Sequence, residues 1–251
     1  MSNKAPKVSV ITVVYNAVDL LEKTIVNILA QTYPYIEYII IDGGSSDGSL
    51  DIIKKYSNRI DKWVSEPDKG LYDAMNKGLK AASGDWVWFI NAGDLIYSED
   101  TTTRMFDEFG TEGAIYYGDT MLVDNSYQEI GLRRLRPPEK LTWKSFQQGM
   151  LVCHQSILVS RDLADMYNLK YPHSADFDWV IKALKKTDKI INTNMILSAF
   201  LDGGQSKQTI KPSLRERFNS MRIHYGLFPS VIRHIPIAFR FFTFYFKNNR
   251  F

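Results

Sequence analysis

"VSVITVVYNA", Val8 to Ala17, is a β-branched, largely apolar run of seven residues that breaks into a polar turn. Such a run reads as a strand covered on both faces, the kind found inside a parallel sheet. A helix is expected next, because Leu21, Ile25, Ile28 and Leu29 fall at helical spacing. "YIEYIIID" makes a second buried strand with "GGSSDGS" as its turn, and a helix is expected from about Ser49 to Tyr56. "IDKWVSE" is a third strand and "LYDAMNKGLKAA" a helix, with Gly84 placed to end it. "DWVWFIN" is a fourth strand. This β-α alternation predicts an α/β fold with a doubly wound, mostly parallel sheet flanked by helices.

Beyond Asp94 the pattern loosens. Helix "EDTTTRMFDEF" leads to "GAIYYGDTMLVD" and "SYQEIGLRRLR", two strand-like segments joined by a polar turn at "DNS". They are expected to form a smaller antiparallel insertion beside the parallel core. "SADFDWVIKALKK" reads as an amphipathic helix and "KIINTNMILSAFL" as a strand, followed by the loop "DGGQSKQT". The expected organisation is one domain over residues 1–210, split into two halves (7–94 and 95–210), with a basic-aromatic helical tail over 211–251.

The 251 residues carry a net charge of +3, too little to imply nucleic acid. The single cysteine, Cys153, excludes an internal disulfide framework and a cysteine-based zinc cage. "MSNKAPKVSVITVVYNA" has no secretory character, and its apolar run is far short of the ~20 residues that span a bilayer. A cytoplasmic protein is expected. The end of the chain differs: "FPSVIRHIPIAFRFFTFYFKNNRF" mixes seven phenylalanines with Arg233, Arg240, Lys247 and Arg250. Pro236 interrupts a helix there, so the segment reads as an interfacial anchor for anionic lipid at the inner face of the cell membrane. The competing reading is a C-terminal helix packed on the core or on a second copy, as in a homo-oligomer.

In open α/β sheets, ligands bind at the carboxyl ends of strands. Polar groups follow all four: Tyr15 and Asn16, Asp42, Glu66 and Asp68, and Asn91 to Asp94. They predict one convergent site.

"VSVITVVYNA", "YIIIDGGSSDGS", "SEPDKGLYDAMNKGLKAASGDWVWFINAGD", "CHQS" and "SADFDW" together resemble the inverting GT-A glycosyltransferases of family 2. These build bacterial capsule, O-antigen and exopolysaccharide from nucleotide-sugars. The resemblance covers roughly residues 7–205 and implies a GT-A (Rossmann-like) fold. It implies that Tyr15 packs on the nucleotide base, that Asn16 holds the turn bearing it, and that Asp42 accepts a hydrogen bond from a base with an imino donor such as uracil. The bland reading of Asp42 is a turn-capping residue. The family's usual second acid there is Gly43, and Asp47 is expected to cap a helix. Lys69 would meet a phosphate and Asp73 a sugar hydroxyl, although a carboxylate also suits a helix start.

The family carries two or three acids around "FINAGD", clamping Mg²⁺ or Mn²⁺ on the diphosphate. Here the first is Asn91, the third is Gly93, and only Asp94 is acidic. Asn-Ala-Gly-Asp suits a type II turn, and an amide oxygen is an acceptable ligand for a hard cation. A divalent cation is therefore expected on Asp94, with Asn91 beside it; the resemblance implies that His154 either ligates the metal or lines the acceptor pocket, and the bland reading of a lone histidine is a structural one. Asp176 matches the family's general base, with Asp178 on another helix face. His173 would orient the acceptor, and Gly203 and Gly204 would let "FLDGGQS" close over the diphosphate.

The expected activity is transfer of a sugar, UDP-linked, to a glycan or lipid-linked acceptor with inversion. The alternatives are a non-catalytic scaffold derived from such an enzyme and a nucleotidyltransferase. The latter should show a glycine-rich basic loop after the first strand, where "YNAVDL" has none.

Overall fold

The structure is a computed structural model that describes residues 5–203 and 210–235. Four strands, β1 (Val8–Val14), β2 (Ile36–Asp42), β3 (Lys62–Ser65) and β4 (Trp86–Phe89), alternate with helices α1 (Val18–Leu29), α2 (Ser49–Lys55) and α3 (Leu71–Ala81). All four strands are parallel, with β1 between β2 and β4. There follow β5 (Leu95–Ile96), α4 (Thr101–Phe109), β6 (Ile115–Val123), β7 (Glu129–Leu132), β8 (Ile157–Ser160), α5 (Ala175–Leu184), β9 (Ile190–Leu201) and α6 (Ile210–Tyr225).

Every residue of β1 is buried, and the period-two alternation of a strand sends its side chains to two different cores. Ile11 and Val13 join Ile39, Ile41, Phe89 and the inner faces of α3 and α5. Val8, Val10 and Val14 join Tyr38, Ile40, Trp88 and residues of α1, α2 and α4. The sheet is thus the middle of three layers. Gly78 lets α3 lie close on β1: a Cβ there would stand 2.5 Å from Ile11 Cγ2.

The two segments joined by the polar turn form the antiparallel pair expected beside the parallel core, the β6–β7 hairpin, and it is continuous with that core. One nine-stranded sheet runs β3-β2-β1-β4-β8-β6-β9-β5, with β7 attached to β6. Within it β8 is antiparallel to both β4 and β6, whereas β6 and β9 are parallel. Gly84 does not end α3, which closes at Ala81 with Ala82 as its C-cap. Its missing side chain instead makes room for β1, since a Cβ would lie 2.7 Å from Ser9 N.

The expected tail begins inside α6, whose Ser213 and Met221 are buried against the body. Residues 227–235 are helical as well. Pro236 and the aromatic run after it lie outside the described residues. Among the described residues no helix is long and apolar enough to cross a membrane.

Gly78→Ala tests the α3–β1 contact. Helix propensity favours alanine by about 1 kcal/mol, but overpacking a tight core costs about 1–3 kcal/mol. Urea unfolding should show a net loss, because the backbone of β1 is held on both sides and cannot retreat.

Candidate active site

A cleft of about 800 Å³ opens beyond the carboxyl ends of β3 and β4 and is lined by Tyr72, Asn91, Arg133, His154, His173, Asp176, Asp202 and Arg217, among others. Asp176 sits in the first turn of α5. Its Oδ1 accepts the Tyr72 hydroxyl at 3.0 Å and its own helix's Phe177 N–H at 2.9 Å. Two positions on, Asp178 turns into the protein. It accepts His224 Nε2 at 2.7 Å and Ser220 Oγ at 3.4 Å, and pairs with Lys182 at 2.7 Å. Burial would raise the Asp178 carboxyl, but the bonds from His224 and Lys182 outweigh it and hold the group below the usual range. His173 is exposed on the opposite lip, fixed by its N–H to Glu216 and its carbonyl to Ser213.

The motif turn behaves as its residues dictate. Asp94 N–H bonds Asn91 O at 2.9 Å, and Gly93 at the third place has φ +98°. Asn91 Oδ1 is buried with no hydrogen-bond partner, on a residue that lines the cleft. An orphan acceptor of this kind costs about 1–3 kcal/mol unless something else meets it.

Asp94 faces the other way. Its Oδ2 accepts Gln155 Nε2 at 2.8 Å and its Oδ1 the Leu201 N–H at 3.2 Å. Burial pushes its pKa up to about 7. His154 is also enclosed, with Nε2 2.7 Å from the Tyr167 hydroxyl and its ring among Phe89, Tyr167 and Trp179. Burial lowers its pKa to about 4, so it is neutral. Asp94 and His154 as joint metal ligands is therefore a correction: each is committed to the protein. Among the described residues no group of three or more His, Cys, Asp or Glu could hold a metal ion. As placed, neither Asp94 nor His154 presents a free ligand atom to a cation.

The residues expected to meet the nucleotide gather beside this cleft, at the ends of β1, β2 and β3, rather than in it. Tyr15 is 59% exposed. Asn16 adopts φ +47°, and its Oδ1 accepts the Ser46 N–H at 2.9 Å while its own N–H goes to Ser45 Oγ at 2.8 Å. Asp42 is wholly buried. Ser45 Oγ donates to its Oδ1 at 2.5 Å and Ser65 Oγ to its Oδ2 at 2.6 Å. Its carboxylate holds the turn, the blander of the two readings. Asp47 accepts N–H groups from Ser49 and Val18, tying the starts of α2 and α1 together. Lys69 is exposed, and Asp73 accepts the Lys69 N–H at 3.0 Å, a helix-start role. Gly203 is described, with φ +110°; Gly204 lies outside the described residues.

Sequence reasoning missed Tyr72, Gln155 and Arg217. Tyr72 lay inside a quoted motif, and its burial at a helix start was a readable sign. Gln155 and Arg217 carried no readable signal for these roles, since Gln155 meets Asp94 from 61 residues away and Arg217 lies beyond the last strand. Arg217 Nε is buried without a hydrogen-bond partner at the cleft wall.

The family described as "Glycosyl transferase family 2" matches residues 9–166. An uncharacterized glycosyltransferase of Mycobacterium tuberculosis is 34% identical over 188 residues, 71% of this chain and 69% of that one. A PGL/p-HBAD biosynthesis glycosyltransferase of Mycobacterium bovis is 28% identical over 243 residues, 92% of each chain. Among solved structures, Staphylococcus aureus TarS in complex with UDP-GlcNAc superposes with a TM-score of 0.65 at 17% identity, covering 92% of this chain and 73% of that one. The mannosyltransferase PcManGT of Pyrobaculum calidifontis, in complex with GDP-Man and Mn²⁺, gives 0.61 at 16% identity, covering 94% and 76%. These structural likenesses show a GT-A fold. With the family's span laid over β1 to β8 and its strand-end cleft in place, the chain belongs to glycosyl transferase family 2 and is a glycosyltransferase.

Proposed function

We propose that this glycosyltransferase moves a sugar from a nucleoside diphosphate sugar, UDP-linked, to a hydroxyl of a glycan or lipid-linked acceptor, with inversion, in the making of a surface polysaccharide or glycolipid. The observation that carries this reading is Asp176: a carboxylate at a helix start, oriented by Tyr72, in the same cleft as the orphan oxygen of Asn91. Support for the donor comes from the UDP-GlcNAc and GDP-Man of the two fold neighbours. Support for a lipid-linked acceptor comes from the mycobacterial PGL/p-HBAD relative. The nucleoside lies at Tyr15 and Asn16, the diphosphate passes Lys69 and Asn91, and the acceptor enters past His173.

An acceptor hydroxyl attacks the anomeric carbon only as its proton is removed. Asp176 takes that proton, with Tyr72 holding the carboxylate in place. The leaving diphosphate gains negative charge in the transition state and needs preorganised donors around it. No metal-dependent step is required of Asp94 or His154. A scaffold descended from an enzyme would not need a carboxylate kept so placed.

Residues 227–235 expose Leu227, Phe228, Val231, Ile232 and Ile235, with Phe228 77% exposed, beside Arg222 and Arg233. A contiguous apolar face rimmed by arginine suits an anionic lipid surface, which would place the enzyme at the inner face of the cell membrane beside a lipid-linked acceptor.

Asp176→Asn should lower transfer, or hydrolysis of the bound nucleotide-sugar, by ~10²–10⁴-fold while donor affinity holds. Asp178→Asn should lower the melting temperature without a comparable loss of rate. Full activity in Asp176→Asn would move the base elsewhere.

Asp94→Asn separates structural tie from metal ligand. The folded pKa of Asp94 is about 7, above the ~3.9 of an unfolded aspartate. Its contribution to stability is therefore complete below pH ~4 and is lost as pH rises through about 7. Asp94→Asn should flatten that part of the pH–stability curve and leave the response of nucleotide affinity to Mn²⁺ unchanged, as calorimetry would show. Asn91→Asp, by contrast, should create a Mn²⁺-dependent gain.

Deleting residues 229–251 should release the protein from anionic vesicles, read by co-sedimentation, while nucleotide binding persists. A full-length chain that ignores such vesicles would sink the membrane reading.

A further inference from the structure

The geometry points to Asp68, not Asp42, as the carboxylate that reads the nucleotide base; this rests on the donor reading above and assigns its base specificity. Asp42 is the acid at the strand end, but it is wholly buried and both its oxygens are taken by serine hydroxyls. Gly43 follows, without a side chain. The space its side chain would fill is occupied: a Cβ on Gly43 would overlap Asp68 Oδ2 and stand 3.0 Å from Asp68 Cγ and 3.3 Å from Tyr15 Cδ2. The carboxylate of Asp68 thus sits where an acid at position 43 would begin, against the ring expected to carry the base.

The surrounding chain is arranged to keep it there. Asp68 Oδ1 accepts the Gly70 N–H at 2.7 Å, which fixes the carboxylate and turns Oδ2 toward Gly43. Gly44 has φ +83°, and a Cβ on it would lie 3.2 Å from Pro67 N. The Gly43–Gly44 pair is therefore what allows the Glu66–Asp68 loop to approach the end of β2, and Glu66 N–H bonds Asp42 O at 3.1 Å on the way. Glycine pairs of this kind mark a close backbone approach. Asp68 is half-buried, so its outer oxygen has a route to a ligand on Tyr15.

An ionised carboxylate only accepts hydrogen bonds. It suits bases with an imino N–H, uracil and guanine, and opposes cytosine and adenine, which present a lone pair at the equivalent ring nitrogen. Specificity built on a hydrogen-bonding group should invert when the group is changed from acceptor to donor.

The experiment is calorimetry of the full chain with UDP, GDP, CDP and ADP. The wild type should prefer UDP over CDP by ~10-fold or more. Asp68→Asn, whose amide also donates, should bring the UDP:CDP ratio close to one, whereas Asp42→Asn should lower the melting temperature and keep the ratio. Asp68→Ala combined with Gly43→Asp, which returns a carboxylate from the other side, should regain the UDP preference that Asp68→Ala loses. An unchanged UDP:CDP ratio in Asp68→Asn overturns the assignment and leaves the donor reading standing. A wild type that binds none of the four overturns both.

Discussion

A buried carboxylate, Asp94, ties the two halves of the sheet. Its side chain reaches Gln155 beside β8 and the Leu201 N–H at the end of β9, 107 residues away. Its carbonyl accepts the Thr24 hydroxyl of α1, which in turn accepts the Gly93 N–H. The Gly93 carbonyl takes the Tyr127 hydroxyl. One turn thus meets an element from each side of the chain. The left-handed third residue, Gly93 at φ +98°, shapes the turn that presents all of these groups together. The same geometry that satisfies Asp94 leaves the oxygen of Asn91 unsatisfied at the cleft. Structure and site are two sides of one turn.

The acids of the protein divide by what already holds them. Asp47 and Asp73 accept backbone N–H groups at helix starts. Asp42 is held by two serines and Asp178 by histidine, lysine and serine. Asp176 and Asp68 are different. Each uses Oδ1 for a bond that orients the group, and Oδ2 lies outside those bonds. A carboxylate anchored by one oxygen is preorganised without being spent, and that preorganisation is what a base or a specificity contact requires.

Much of this was legible in the residues. The run Val8–Val14 announced a strand buried on both faces, apolar spacing placed α1 and α5, and Asn-Ala-Gly-Asp specified its turn. The β6–β7 hairpin was legible from its polar turn, but the partners and direction of β8 and β9 were not, because period-two patterning is the same in parallel and antiparallel strands. Gly84 was read as a helix stop because a glycine's need for space looks the same as its need for a positive φ. Asp94 and His154 were read as ligands from the family resemblance, which matches positions along the chain and does not say which way a side chain turns. Asp42 illustrates the same limit: its partner Ser65 is 23 residues away, on another strand.

The helix α5 joins the chemistry to the end of the described chain. Asp176 leaves its first turn for the cleft, while Asp178 leaves it for α6, where His224 is itself 3.0 Å from Lys185 of the turn that ends α5. Glu216 of α6 accepts the His173 N–H and the Ser174 hydroxyl, the residues immediately before that first turn. Position and angle of Asp176, the proposed base, therefore depend on α6 being docked, although α6 lies after the last strand and outside the family's matched span. Trp143 and Tyr225 add a stacked contact, with ring centroids 5.3 Å apart, that fixes the far end of the same helix. The exposed apolar turns follow at once, from Leu227 onward. A surface that gripped those turns would load α6 directly, so the arrangement couples what holds the end of the chain to the carboxylate proposed to take the acceptor's proton.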